Sequence, residues 1–150
     1  MILYIDADAF PNLLKNILFR AIERLSLKTF VVANRKVDLG TSEYINYIVV
    51  ASGPDEADNK IVEMVEEGDL VITADIPLAD RVLTKNAHAI NHRGELYNED
   101  NIKNYLSMRD LMQELRDAGM PTKGPAPFNQ KDVQSFANQF DKFLTKNHKK

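Results

Sequence analysis

The sequence predicts an α/β domain with a mostly parallel central sheet of about 4–5 strands and a helical C-terminal part. Three observations carry this prediction. Short, near-continuous apolar runs recur through the first two thirds of the chain, as strands covered on both faces require. Segments with helical apolar spacing separate those runs. The length, 150 residues, suits a single domain over 1–150, and from residue 98 onward the texture turns wholly helical.

Taken in order, Ile2–Ile5 is a short apolar strand ended by Asp6-Ala7-Asp8. Pro11 opens a helix at a position where its missing N–H costs nothing, and Leu14, Ile17, Leu18, Ala21, Ile22 and Leu25 form that helix's apolar stripe. Thr29–Ala33 is the second strand, followed by a polar connector through Thr41-Ser42. Tyr47–Ala51 is the third strand, broken by Ser52-Gly53-Pro54. A helix spans about Asp55 to Glu67 and stops at Gly68. Leu70–Thr73 is the fourth strand, Pro77 starts another short helix, and His88–Asn91 is the fifth strand. Asn98 with Glu99 and Asp100 starts a helix whose core stripe is Met108, Leu111, Met112 and Leu115, ended by Gly119 and Pro121. Thr122–Pro127 is expected to be a rigid loop. Val133, Phe136, Ala137, Phe140, Phe143 and Leu144 give the last helix a strongly amphipathic face.

Composition removes several function classes. With no cysteine, the chain has no disulfide scaffold, no thiolate nucleophile and no cysteine-ligated zinc or iron–sulfur centre. The three histidines, His88, His92 and His148, lack ligand spacing and read as structural or surface residues. A metal would therefore be held by carboxylate oxygens, which favours Mg²⁺ or Mn²⁺. No apolar run exceeds five residues, so no segment is expected to span a membrane. Met1–Asp6 carries no basic leader, and the cytoplasm is the expected location.

The informative acids stand at strand ends. Asp6 follows the first strand and Asp75 the fourth, so in a parallel sheet both reach the carboxyl edge, where open α/β folds bind ligands. Asp8 shares a face with Asp6 if the chain stays extended. Asp58 lies three and four residues before Ile61 and Val62, which places it on the inward face of its helix, in the first turn. Asp80 is expected in the first turn of the helix after Asp75. Carboxylates about 4 Å apart repel by ~4 kcal/mol per pair at an effective dielectric of ~20. Helix N-termini offset only about 0.3–2 kcal/mol each. Protonation or a divalent cation must supply the remainder. Each acid also has a structural reading: Asp6 or Asp75 as a helix cap, Asp55 and Glu56 as first-turn partners of the helix dipole, and Glu63, Glu66 and Glu67 as a solvated face.

The basic residues Arg20, Arg24, Lys28, Arg35 and Lys36, and a tail of Lys142, Lys146, Lys149 and Lys150, are either a solvated surface or a nucleic-acid path. Arg109 and Arg116, seven apart on one helix face, either clamp a phosphate or pair with neighbouring acids.

Several segments together resemble the YaiI/YqxD family of bacterial proteins: Asp6–Ala9, Asp55–Asp58, Gly68–Ala79, Asn91–Tyr97, Met108–Met112 and Gly124–Phe128. The likeness runs in order over essentially the whole chain. It implies a three-layer fold related to PIN-like (NYN-type) nuclease domains, and through that kinship a metal-dependent ribonuclease. Matched position by position, Asp6, Asp58 and Asp75, with Asp80 in the next helix, correspond to the acids that would hold Mg²⁺ or Mn²⁺. On the ribonuclease reading Asp80 or Asp8 is expected as a further ligand, and Arg109, Arg93 and Thr73 are expected to contact RNA or another nucleic acid. The chain departs from the family pattern at Phe10, where a cysteine is frequent, and at Lys123, where a second glycine is frequent. Two further readings stand beside this one. Asp6-Ala7-Asp8 also resembles the Asp-x-Asp of haloacid-dehalogenase-type phosphatases, with Asp6 as nucleophile and Asp8 as general acid. Phe10 and the lack of a cap-sized segment tell against that reading. A non-catalytic RNA-binding module with a structural ion is the third reading.

Overall fold

The computed structural model describes every residue except Ala9, Lys123, Pro125, Ala126, Lys149 and Lys150. Parts of the expected Thr122–Pro127 loop and of the lysine tail therefore lie outside the described residues.

Six strands form one sheet: β1 Leu3–Asp6, β2 Thr29–Ala33, β3 Ile45–Val49, β4 Leu70–Ile72, β5 His88–Ile90 and β6 Leu96–Tyr97. Their spatial order is β3-β2-β1-β4-β5-β6, parallel throughout except for the antiparallel β5–β6 pair. Alternation along the strands sends side chains to both faces. Leu3 and Ile5 join Leu14 in the turn before helix α1 (Lys15–Leu25), Leu18 and Ile22 of that helix, and Phe136, Phe140 and Phe143 of helix α5 (Gln130–Asn147). Tyr4 points the other way, toward Ile61 of helix α2 (Glu56–Met64) and Leu78, Ala79 and Val82 of helix α3 (Ile76–Thr84). Helix α4 (Glu99–Asp117) lies on that second face through Ile102. Helices thus cover both faces of the sheet in a three-layer α/β arrangement, which is why the strands read as unbroken apolar runs.

Several elements differ from the sequence expectation. β3 begins at Ile45, two residues before the predicted strand, and Tyr47 and Val49 are exposed because β3 is an edge strand with one neighbour. β6 was not expected: a two-residue strand is too short for a periodic signal. The helix of α2 stops at Met64, where Val65 turns extended and the Tyr4 hydroxyl donates to the Met64 carbonyl at 3.2 Å. The larger correction concerns α4. Its predicted core stripe is not buried: Met108 is 53% and Leu111 48% exposed, with Met112 and Leu115 only half-buried. α4 has 19 residues against nine in α3, the helix it packs on. At 1.5 Å per residue its distal half outruns its support. Among the described residues no helix is long and apolar enough to cross a membrane.

Candidate functional site

The chain runs β1 to β2 to β3 in one direction across the sheet, then returns to the other side of β1 for β4 and β5. The order therefore reverses between β1 and β4, and the carboxyl ends of these two strands flank a crevice of the kind that binds ligands in open α/β sheets. Asp6 ends β1, and Thr73-Ala74-Asp75 follows β4. The turn after β3 delivers the N-terminus of α2 to the same edge. Asp6, Asp8, Asp55, Asp58, Ala74, Asp75 and His92 line a single pocket there, of about 360 Å³.

Hydrogen bonds fix several of these groups. Asp6 is only 8% exposed, and the Thr73 hydroxyl donates to its Oδ2 at 2.7 Å. The same Thr73 oxygen accepts the Asp75 N–H at 2.9 Å, and Asp75 Oδ1 accepts the Leu78 N–H at 3.0 Å as the N-cap of α3. Asp8 Oδ1 accepts the Asn34 N–H at 3.1 Å. Among the described residues the pocket lining has no lysine or arginine, so no neighbouring cation in it offsets the mutual repulsion of the acids. Burial, and then the charges of Asp8 and Asp75, push the Asp6 carboxyl up to about 6 against the lowering effect of the Thr73 hydroxyl. Burial, the charges of Asp75 and Asp6, and a hydrogen bond shared with Asp75 push Asp58 up to about 7. Near neutral pH Asp58 therefore still carries a proton part of the time.

The other candidates fall in different places. Asp80 lies in the second turn of α3, because that helix already begins at Ile76, and it faces a groove toward α4 with Glu99 and Lys103. Arg109 and Arg116 stand on the projecting half of α4, engaged with Asp110 at 3.8 Å and Gln113 at 2.9 Å. Arg93 is at the crevice rim, where its Nη1 meets Asp132 Oδ2 at 2.6 Å. Of the basic residues considered, Arg24 pairs with Asp141 and Lys28 stands over the Phe30 ring, away from the crevice lining. Arg35 and Lys36, with Lys15, line a pocket that also contains Ala7 and Phe10, directly beside the aspartates.

His92 was read as structural or surface, yet it lines the aspartate pocket. Its ring packs edge-on against Phe10 at 5.2 Å, and its Nε2 is buried without a hydrogen-bond partner. Burial, and then the Arg93 charge, lower its pKa to about 4, so it is neutral at physiological pH. The signal was available: His92 directly follows the strand-end residue Asn91, as Asp75 follows β4.

A switch-point crevice lined by aspartates in a three-layer fold defines the class: a doubly wound α/β domain with an acidic pocket at the carboxyl edge of its sheet. A model described as "Uncharacterized BCR, YaiI/YqxD family" matches residues 4–146. The chain belongs to the YaiI/YqxD family. It is similar to a UPF0178 protein of Sulfurimonas denitrificans, 67% identical over 147 residues, covering 98% of this chain and 97% of the relative. UPF0178 proteins of a Sulfurovum species and a Nitratiruptor species are 58% and 53% identical, covering 98% and 100% of this chain and 99% of each relative. No solved structure matches the chain.

Proposed function

We propose that this protein is a phosphodiesterase acting on RNA with the help of a hard divalent cation, Mg²⁺ or Mn²⁺. The observation that carries the reading is the single pocket of five aspartates, free of lysine and arginine in its lining, in which Asp6 and Asp58 are held protonated far above the usual aspartate range. An all-oxygen donor set suits a hard cation. Among the described residues no three acids or histidines are already gathered as a finished metal cage. A cation entering the pocket would take the place of the proton that burial and the Asp75 charge hold on Asp58. Asp6, Asp58 and Asp75 would hold it, with Asp8 at the rim. When bound, such a cation supplies charge neutralisation at the phosphodiester and acidifies water.

The chain's own groups prepare the remainder. Thr73 orients the Asp6 carboxylate, and the α3 cap holds Asp75. Lys15, Arg35 and Lys36 line the adjoining pocket and offer positive charge to backbone phosphates. Neutral His92 adds an uncharged ring to the wall of the aspartate pocket, packed edge-on against Phe10.

The test is cleavage of pooled RNA with Mn²⁺ or Mg²⁺, comparing wild type with Asp6→Asn and Asp75→Asn. Wild type should cleave and each variant should lose at least about a hundredfold in rate. Equal cleavage by all three, or cation binding without cleavage, overturns the reading. Trapping of an aspartyl-phosphate on Asp6 would replace it with phosphatase chemistry.

A further inference from the structure

A second pocket, of about 450 Å³, opens against the aspartates and shares Ala74 and His92 with their lining. Its size falls within the roughly 300–1,000 Å³ typical of small-ligand sites. Its walls are the apolar Ile76 and the rings of Tyr97 and Phe128, and its rim is Asn91, His92 and Arg93. The Arg93 guanidinium stands over the Phe128 ring at 5.7 Å.

The polar members are already committed to building the pocket. Asn91 Oδ1 accepts the N–H groups of Arg93 and Glu95 at 2.9 and 3.0 Å. Arg93 is balanced by Asp132 at 2.6 Å, so the pocket is poorly suited to an anion. What it offers is flat aromatic and apolar surface from Ile76, His92, Tyr97 and Phe128. A flat, uncharged group that stacks on rings matches that lining.

We infer that this pocket is a nucleobase subsite, which seats one unstacked base of a single-stranded substrate while the adjoining phosphodiester lies over the aspartates. The identification of the ligand as a nucleotide rests on the phosphodiesterase reading above. A duplex keeps its bases stacked and paired, so the pocket selects single strands, loops or ends.

Fluorescence anisotropy in EDTA, which prevents cation-dependent cleavage, can compare a labelled single-stranded RNA octamer with an octamer of ribose phosphate lacking bases. Wild type should bind the base-bearing strand about tenfold or more tightly. Phe128→Ala should lose that preference and Phe128→Tyr should retain it. Equal binding of the two strands by wild type needs no variant to interpret and overturns the inference, as does an unchanged preference in a folded Phe128→Ala. Cleavage measured separately distinguishes the two readings. A base preference without cleavage supports the subsite and removes the phosphodiesterase. Cleavage without a base preference removes the subsite alone.

Discussion

A carboxylate as buried as Asp6 needs a donor, and the Thr73 hydroxyl is that donor at 2.7 Å. Thr73→Val keeps the shape and removes the bond, which should cost about 1–3 kcal/mol. The loss should be larger at alkaline pH, where Asp6 is ionised, and urea denaturation at two pH values measures it. The aspartates also set the sign of a wider pH dependence. In the folded chain Asp58 keeps its proton up to about 7 and Asp6 up to about 6, against 3.8 for an ordinary aspartate. Between these limits the folded chain binds more protons than the unfolded one, so stability falls as the pH rises from about 4 to 7. Asp58→Asn should flatten that slope, and urea midpoints across the window report it. A midpoint that rises with pH would contradict the assignment.

At the scale of elements, α4 and α5 show how far apolar spacing can be trusted. Both carry apolar residues at helical intervals, yet α5 buries Phe136 and Phe140 fully while α4 leaves Met108 and Leu111 half exposed. Phe136→Ala should therefore cost about 3–5 kcal/mol, whereas Met108→Lys and Leu111→Lys should each stay within about 0.5 kcal/mol of wild type. Thermal unfolding compares them directly. Periodicity states which face of a helix is apolar. It is silent on how far the partner element extends, and α3 ends before α4 does. β3 was found with its bounds shifted by two residues, because an edge strand loses the two-faced burial that marks its ends, and β6 escaped because two residues form no period at all. The strands β1, β2, β4 and β5 were legible because both of their faces are covered.

Across the whole molecule, the switch point between β1 and β4 gathers residues from positions 6, 58, 75 and 92. The acids were legible because a carboxylate that follows an apolar strand of a parallel sheet lands at its carboxyl edge. His92 was not, because an isolated histidine is an ordinary residue until the fold places it beside acids. Asp80 was misplaced by the one-residue difference between a helix beginning at Ile76 and one beginning at Pro77. The concentration of negative charge predicts a global response to cations. Mn²⁺ at about 100 times its dissociation constant should stabilise the fold by about 2.7 kcal/mol. In a domain of this size that raises the melting temperature by about 5–10 °C. The combined Asp6→Asn/Asp58→Asn variant should show no such shift.

Asp132 carries a consequence of its own. Its Oδ2 accepts the Asn129 N–H at 3.1 Å, closing the first turn of α5, and the same oxygen meets Arg93 at 2.6 Å beside the crevice. One atom thus serves both the start of the final helix and the turn that joins β5 to β6. The Arg93–Asp132 pair therefore ties the leading turn of that helix to the crevice rim, and order at one end supports order at the other. The order of the crevice rim is in this way inherited from a segment almost forty residues further along the chain.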